Sequence, residues 1–215
     1  AESKSVPLSS LRYIIQGFGN VGSWAARLLG ELGATLIAVE DVTGAVYNRN
    51  GIDPEELYSY SSDHCGIAGY PKADQIDHGT FLETPADIFI PAAMENQINE
   101  ETAPMLNVRL VAEGANGPTD PEGDAILESR GIDVLPDIFC NSGGVIVSYF
   151  EWLQNKRSES WELEEVDCKL KKKIFSSYDR ISQTAANHNT DWRTAAYIDA
   201  LSYLECVYKK RGIYP

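Results

Sequence analysis

The sequence predicts a doubly wound α/β fold: a mostly parallel sheet with helices on both faces, extended at its C-terminal end by further helices. Three observations predict it. Short apolar runs alternate with stretches of helical periodicity through the first two thirds of the chain. Those runs are almost uninterrupted in their apolar character, as strands covered on both faces require. The last third, from Asn141 on, reads helical almost to the end.

The elements follow in order. Residues 1–10 are polar and read as a lead-in segment. LRYIIQ (11–16) suits a buried strand. A glycine turn, GFGNVG (17–22), leads to a stretch in which Val21, Trp24, Ala25, Leu28, Leu29 and Leu32 recur at helical spacing, ended by Gly33. ATLIAVED (34–41) is the next strand. GAVYNRNG (44–51) suggests a small hairpin turning at Asn48–Gly51. Asp53 before Pro54, Glu55 and Glu56 marks a capped helix start. ADIFIPAA (86–93), VRLVAEGAN (108–116) and IDVLPD (132–137) complete the strands, with a helix over Pro121–Arg130. Two long helices follow, Trp161–Asn187 and Asp191–Lys210, the second with an apolar stripe of Ala195, Ile198, Leu201, Leu204 and Tyr208. The expected organisation is one sheet domain over 11–150 with a helical extension of the same domain over 151–215.

Composition narrows the function classes. The 215 residues, 43% hydrophobic and 23% charged, fit an ordinary globular domain rather than a disordered chain. No apolar run reaches the roughly 18 to 20 residues of a membrane span, and the first residues lack the apolar stretch of a signal peptide. A cytoplasmic setting is expected. The net charge of −14 disfavours nucleic acid and anionic membranes as partners. Cys65, Cys140, Cys168 and Cys206 are scattered and read as free thiols. His64 beside Cys65 has no second pair at ligand spacing, so no metal is expected.

Gly17, Gly19 and Gly22 fit GxGxxG. Alone the match is weak, but here it lies between a predicted strand and a predicted helix, the context the motif needs. Gly17 permits the tight turn, Gly19 lets backbone approach a pyrophosphate, and Gly22 lets the helix pack closely on the strand. The helix N-terminus then offers free N–H groups and a favourable dipole to the phosphates. A Rossmann-type site also needs an acid about 20 positions on, for the adenosine ribose hydroxyls. Glu40 and Asp41 stand 18 and 19 residues after Gly22. A carboxylate there repels a 2′-phosphate, and no arginine follows until Arg49, so NAD is expected in preference to NADP.

Ordered blocks along nearly the whole chain carry a resemblance: QGFGNVG (16–22), VEDVTGAVYNRNGID (39–53), IPAAMENQI (90–98), VAEGANGPTDPE (111–122), PDIFCNSGGVIVSYFEW (136–152), WRTAAYIDAL (192–201) and RGIYP (211–215). In these the chain resembles the glutamate dehydrogenases within the wider glutamate/leucine/phenylalanine/valine dehydrogenases. The resemblance implies NAD-linked, reversible oxidative deamination of L-glutamate to 2-oxoglutarate and ammonium. It implies that Phe18, Gly19, Asn20 and Val21 offer backbone N–H groups to the pyrophosphate, that Ala92 and Ala93 flank the cofactor, and that Asn116 and Asn141 bond the nicotinamide end. Val145 and Ser148 match positions facing the substrate side chain, Ser148 as a donor to its distal carboxylate. Bland alternatives stand beside these: a turn residue for Asn116, core packing for Val145, a hydroxyl bonded to its own helix for Ser148.

The sequence also departs from the family. Ser142 stands where alanine is usual, and Glu40 where a small residue is usual; the second sharpens the expectation of NAD. In this family the catalytic lysines and a proton-transferring aspartate belong to a substrate domain N-terminal to the glycine turn. Only 16 residues precede Gly17 here. The catalytic residues are therefore expected outside this sequence, and the 215 residues alone are expected to be inactive. The parent is expected to be a homo-hexamer, with an isolated piece able to remain monomeric. Two other readings are a leucine-, phenylalanine- or valine-type dehydrogenase and a stand-alone NAD-binding module without catalysis.

Overall fold

The structure, a computed structural model, describes residues 7–212. It divides into two compact units, one running to Asp137 and one from Ile138 on.

The first unit is built on a seven-stranded sheet. Its strands are β1 (Arg12–Gln16), β2 (Thr35–Asp41), β3 (Gly44–Tyr47), β4 (Asp74–Ile76), β5 (Ile88–Pro91), β6 (Leu110–Ala112) and β7 (Asp133–Leu135). They lie in the order β4-β3-β2-β1-β5-β6-β7. β1 pairs parallel with β2 and β5, and β5, β6 and β7 continue parallel, whereas β3 and β4 add an antiparallel edge. The helices of this unit are α1 (Asn20–Glu31), α2 (Pro54–His64), α3 (His78–Glu83) and α4 (Pro121–Ser129).

Both faces of the sheet are covered, as the apolar runs required. On one face Tyr13, Ile15, Leu36 and Val39 pack with Ala26 of α1 and Leu57 of α2. On the other, Ile14, Ile37 and Phe89 pack with Phe81 and Leu82 of α3 and Leu127 of α4. The strand pleat alone sends alternate residues of β1 into two separate cores. The Tyr13 hydroxyl, buried in the first, donates to the Ala26 carbonyl at 2.8 Å, and burial pushes its phenol well above the usual tyrosine range.

Two local expectations are corrected. The turn at Asn48–Gly51 exists, with Gly51 N–H donating to Asn48 O, but no strand returns from it; it feeds α2. The hairpin is instead β2–β3, turning at Val42–Thr43, where the Asp41 carboxylate accepts from Thr43 N at 2.7 Å. On α1 and at its C-cap the apolar residues Val21, Trp24, Leu28 and Leu32 are exposed, and the buried residues of the helix are Gly22, Ser23 and Ala26. Small residues win that face because the helix must lie close to the strand ends.

The α2 start behaves as the sequence predicts. Asp53 accepts from Glu55 N and Glu56 N at 2.9 and 3.0 Å, with Pro54 at the first helical position. Asp53→Ala is expected to cost about 1 kcal/mol, the usual value of such a cap. That is ~2–4 °C in melting temperature for a chain of this size, measurable by calorimetry.

The division between the units falls within α5 (Asp137–Cys140). The second unit contains α6 (Ser142–Arg157), α7 (Leu163–His188) and α8 (Trp192–Arg211), within one to two residues of the predicted long helices for the last two. Its buried centre is small: Ile181, Ala195 and Ala196, with Phe139, Ala185 and Trp192 packed against them. The predicted α8 stripe is only partly used, since Ala195 is buried while Leu201, Leu204 and Tyr208 are exposed. All four cysteines are exposed. Among the described residues no helix is long and apolar enough to cross a membrane.

Candidate functional site

In the sheet order the chain passes from β1 to β2 on one side and later returns to β5 on the other. A crevice opens at such a reversal, beyond the carboxyl ends of the strands. Here a cavity of 620 Å³ lies there. Gln16, Gly17, Phe18 and Gly19 line it from the end of β1, Glu40, Asp41 and Val42 from the end of β2, and Ala92, Ala93, Met94 and Gln97 from the segment after β5. Ser61, Cys65, Gly66 and His78 close its remaining side.

The glycine turn is fixed by close backbone approach. Gly17 has φ +95°, and its N–H donates to Glu40 O at 2.6 Å, joining the turn to the end of β2. A Cβ on Gly22 would stand 1.8 Å from the carbonyl oxygen of Gly17, so only glycine lets α1 start where it does. A Cβ on Gly19 would meet open space. That contrast separates the two glycines: Gly22 serves packing, and Gly19 borders room for a ligand. The first N–H of α1 to find a carbonyl is that of Ser23, on Gly19 O at 2.9 Å. The N–H groups of the preceding turn, at Asn20 and Val21, are those an anion takes at a helix start.

The two acids after β2 have different environments. Asp41 turns to its own loop: one oxygen accepts from Thr43 N and Oγ1, the other from Ile67 N at 3.1 Å. Glu40 faces the cavity with its side chain only 13% exposed. Gln16 Nε2 donates to its Oε2 at 3.0 Å, and His78 Nδ1 donates to its Oε1 at 2.8 Å. Gln16 is itself buried, and its Oε1 finds no hydrogen-bond partner among the described residues. Turning the amide over would set Oε1 against a carboxylate, so the observed orientation wins although an unpaired buried acceptor costs about 1–3 kcal/mol.

His78 opens α3, whose start is capped by Asp77; Asp77 Oδ1 accepts from Thr80 N at 3.0 Å and Oδ2 from Thr80 Oγ1 at 2.7 Å. These bonds from the Thr80 backbone and side chain hold the Asp77 carboxyl below the usual aspartate value. The cap is therefore complete at neutral pH and is lost only as pH falls through that lowered value.

The loop bearing Asn116 is held against the same end of the sheet. Gly114 and Ala115 N–H donate to Pro91 O, Asn96 N–H donates to Gly117 O, and Gly117 N–H donates to Asp137 Oδ2 at 2.8 Å. The fully buried Glu113 accepts from Asp137 N at 2.7 Å. A Cβ on Gly114 would touch Val21 and Ala92 at 3.2 and 3.4 Å, so the first turn of α1 and the ends of β5 and β6 converge.

Of the residues the sequence singles out, Gly17, Phe18, Gly19, Glu40, Asp41, Ala92 and Ala93 thus share one cavity. Asn20, Val21 and Gly22 form the adjoining helix start, and Asn116 sits exposed on the tethered loop. Asn141, Val145 and Ser148 belong to the second unit, at the N-cap and on the exposed side of α6, where Val145, Ser148, Tyr149 and Trp152 form one face. Gln16, His78, Met94 and Gln97 also line the cavity, and the sequence does not single them out. For Gln16 and His78, a polar residue ending an apolar strand and an Asp-His helix start were the available signals.

The cavity has room and groups suited to a dinucleotide: backbone donors at a helix start, an open approach over Gly19, and a largely buried carboxylate at the end of β2. A mostly parallel sheet carrying this arrangement at its reversal point is the architecture of a dinucleotide-binding domain. Comparison with known proteins agrees and is more specific. Residues 2–212 match the family described as Glutamate/Leucine/Phenylalanine/Valine dehydrogenase, and the chain belongs to that family. It is 46% identical over 202 residues to the glutamate dehydrogenase of Thermotoga maritima, covering 94% of this chain and 49% of that protein. It is 41% identical to the NAD-specific glutamate dehydrogenase A of Halobacterium salinarum, covering 97% and 48%. A solved hetero-hexameric glutamate dehydrogenase from Thermus thermophilus, in its Leu-bound form, superposes with a TM-score of 0.90 at 28% identity, over 98% of this chain and 50% of that one. The enzyme from Peptoniphilus asaccharolyticus gives 0.79 at 36% identity, over 94% and 47%. The chain spans about half the length of the curated relatives it matches.

Proposed function

We propose that this chain is the NAD-binding portion of a glutamate dehydrogenase, an oxidoreductase that oxidatively deaminates L-glutamate to 2-oxoglutarate and ammonium. The observation that carries this reading is the Glu40 carboxylate facing the cavity at the end of β2. It accepts from the adenosine ribose hydroxyls and repels a 2′-phosphate, which favours NAD over NADP. Asp41, bound to Thr43 and Ile67, shapes the loop rather than meeting the ribose. The N–H groups of Phe18, Gly19, Asn20 and Val21 hold the pyrophosphate, Ala92 and Ala93 border the cofactor, and Asn116 and Asn141 orient the nicotinamide. Bound there, the nicotinamide supplies the hydride acceptor. The protein's part is to bind it and aim one face at the substrate. The relative named NAD-specific supports the choice of cofactor. The Thermus hetero-hexamer supports an oligomer for the intact protein, which we place in the cytoplasm.

Val145 and Ser148 are assigned to the substrate side chain, with the Ser148 hydroxyl donating to its distal carboxylate. In the intact protein, Ser148→Ala is expected to lower kcat/KM for glutamate about tenfold, since one hydrogen bond to a charged group is worth ~1.5–3 kcal/mol. NAD affinity should hardly change. Steady-state rates with glutamate, norvaline and leucine test both claims. An unchanged ratio of glutamate to norvaline removes Ser148 from the site. Faster turnover of leucine than of glutamate replaces the glutamate reading by a branched-chain one.

A further inference from the structure

We propose that Gln16 and His78 are specificity-determining positioning residues: they clamp Glu40 from two sides and so turn a preference for NAD into an exclusion of NADP. The inference rests on the assignment of Glu40 to the adenosine ribose and extends it to two residues with no assigned role.

The geometry is that of a two-point hold. Gln16 Nε2 reaches Glu40 Oε2 at 3.0 Å from the strand below, and His78 Nδ1 reaches Oε1 at 2.8 Å from the start of α3. The three residues come from three separate elements, β1, β2 and α3. Each carboxylate oxygen keeps a further lone-pair direction after one such bond, enough to accept the two neighbouring ribose hydroxyls. The buried Gln16 gives up a partner for its own Oε1 while holding this contact. His78 is in turn set by the Asp77 cap.

An unheld glutamate has rotamers to spare, and ordering it on binding costs affinity. It also has somewhere to go. Facing a 2′-phosphate, a mobile carboxylate swings away and lets the larger cofactor in. A carboxylate fastened at both oxygens cannot retreat, and an unwanted ligand then meets a fixed like charge, the repulsive half of specificity. The clamp should therefore raise NAD affinity and lower NADP affinity at once. A residue needed only for folding would move the two affinities together.

The test is a double-mutant cycle in the intact protein, with NAD and NADP affinities measured by calorimetric titration. His78→Phe keeps a planar ring and removes the donor; His78→Asn keeps a donor near the place of Nδ1. With Glu40 present, His78→Phe is expected to weaken NAD about three- to tenfold and to strengthen NADP by a similar factor, while His78→Asn restores most of both. With Glu40→Ser in place, His78→Phe should change either affinity less than twofold. Gln16→Met should act in the same direction as His78→Phe. Three results overturn the clamp while leaving Glu40 its role: no effect of His78→Phe, the same effect in the Glu40→Ser background, or weaker NADP binding, which would make His78 a phosphate contact. If Glu40→Ser itself leaves the NAD-to-NADP ratio unchanged, the assignment of Glu40 fails and the clamp fails with it.

Discussion

Gly22→Ala is expected to disable the site through the fold, whereas Gly19→Ala should disable it with the fold intact. At position 22 the added carbon would lie 1.8 Å from the Gly17 carbonyl oxygen and 3.1 Å from Ile15 Cγ2. The first obstacle is backbone, and it belongs to the turn whose N–H is already bonded to Glu40 O. α1 must therefore back away from the end of β1 and the turn that follows it. Forced overpacking of this kind costs about 1–3 kcal/mol and occasionally more; a clash with backbone on this scale belongs at or above the upper end. At position 19 the added carbon meets nothing, so the stability change should stay within ~0.5 kcal/mol. Yet it fills the space over which a pyrophosphate would approach. Denaturant midpoints and NAD titrations of both variants check this. Equal losses of stability in the two variants would contradict the division of labour between the glycines.

Glu40→Ser carries the other large effect, on cofactor choice. Loss of charge-assisted bonds to the ribose removes ~1.5–3 kcal/mol from NAD binding. Loss of a fixed, mostly buried negative charge also relieves a 2′-phosphate of repulsion that screening would do little to reduce. With 1.4 kcal/mol per factor of ten, the NADP-to-NAD affinity ratio should rise on the order of a hundredfold. Titration with both cofactors at constant ionic strength measures it. A ratio that moves less than about threefold would show that discrimination lies elsewhere in the protein.

Much of this site was legible because its chemistry is local in sequence. A tight turn, a glycine facing open space and a helix start all fall within Gly17–Gly22, and strand length places an acid at the end of β2. The sheet cores were legible from unbroken apolar runs. What was not legible depends on distance. Gln16 ends an apolar strand and looks like its polar edge until β2 is laid beside it in parallel register, Gln16 opposite Glu40. His78 lies 38 positions from Glu40. It arrives on a six-residue helix after a three-residue strand, both too short to show periodicity. The hairpin was misplaced because Asn-Arg-Asn-Gly is a strong turn signal, while the true turn is closed by an aspartate side chain read as a ligand contact. On α1 the apolar stripe was real, but a helix lying close to strand ends turns its small residues inward, and periodicity does not reveal which stripe will do so.

The position of β1 at the middle of the sheet has a consequence for synthesis on the ribosome. Tyr13 pairs with Leu36 on one side and with Ile88 on the other, the second partner 75 residues further along. β2 ends at Asp41 and β5 begins at Ile88, so at about 5–20 residues per second the finished β1–α1–β2 unit waits roughly 2 to 9 seconds for β5. For that interval the strand destined for the centre has an open edge, with Ile14 awaiting Phe89. An unpaired strand edge invites pairing with another chain. Slowing translation between β2 and β5 should therefore lower the soluble yield of this chain, and a nascent-chain chaperone should engage it most during that same interval.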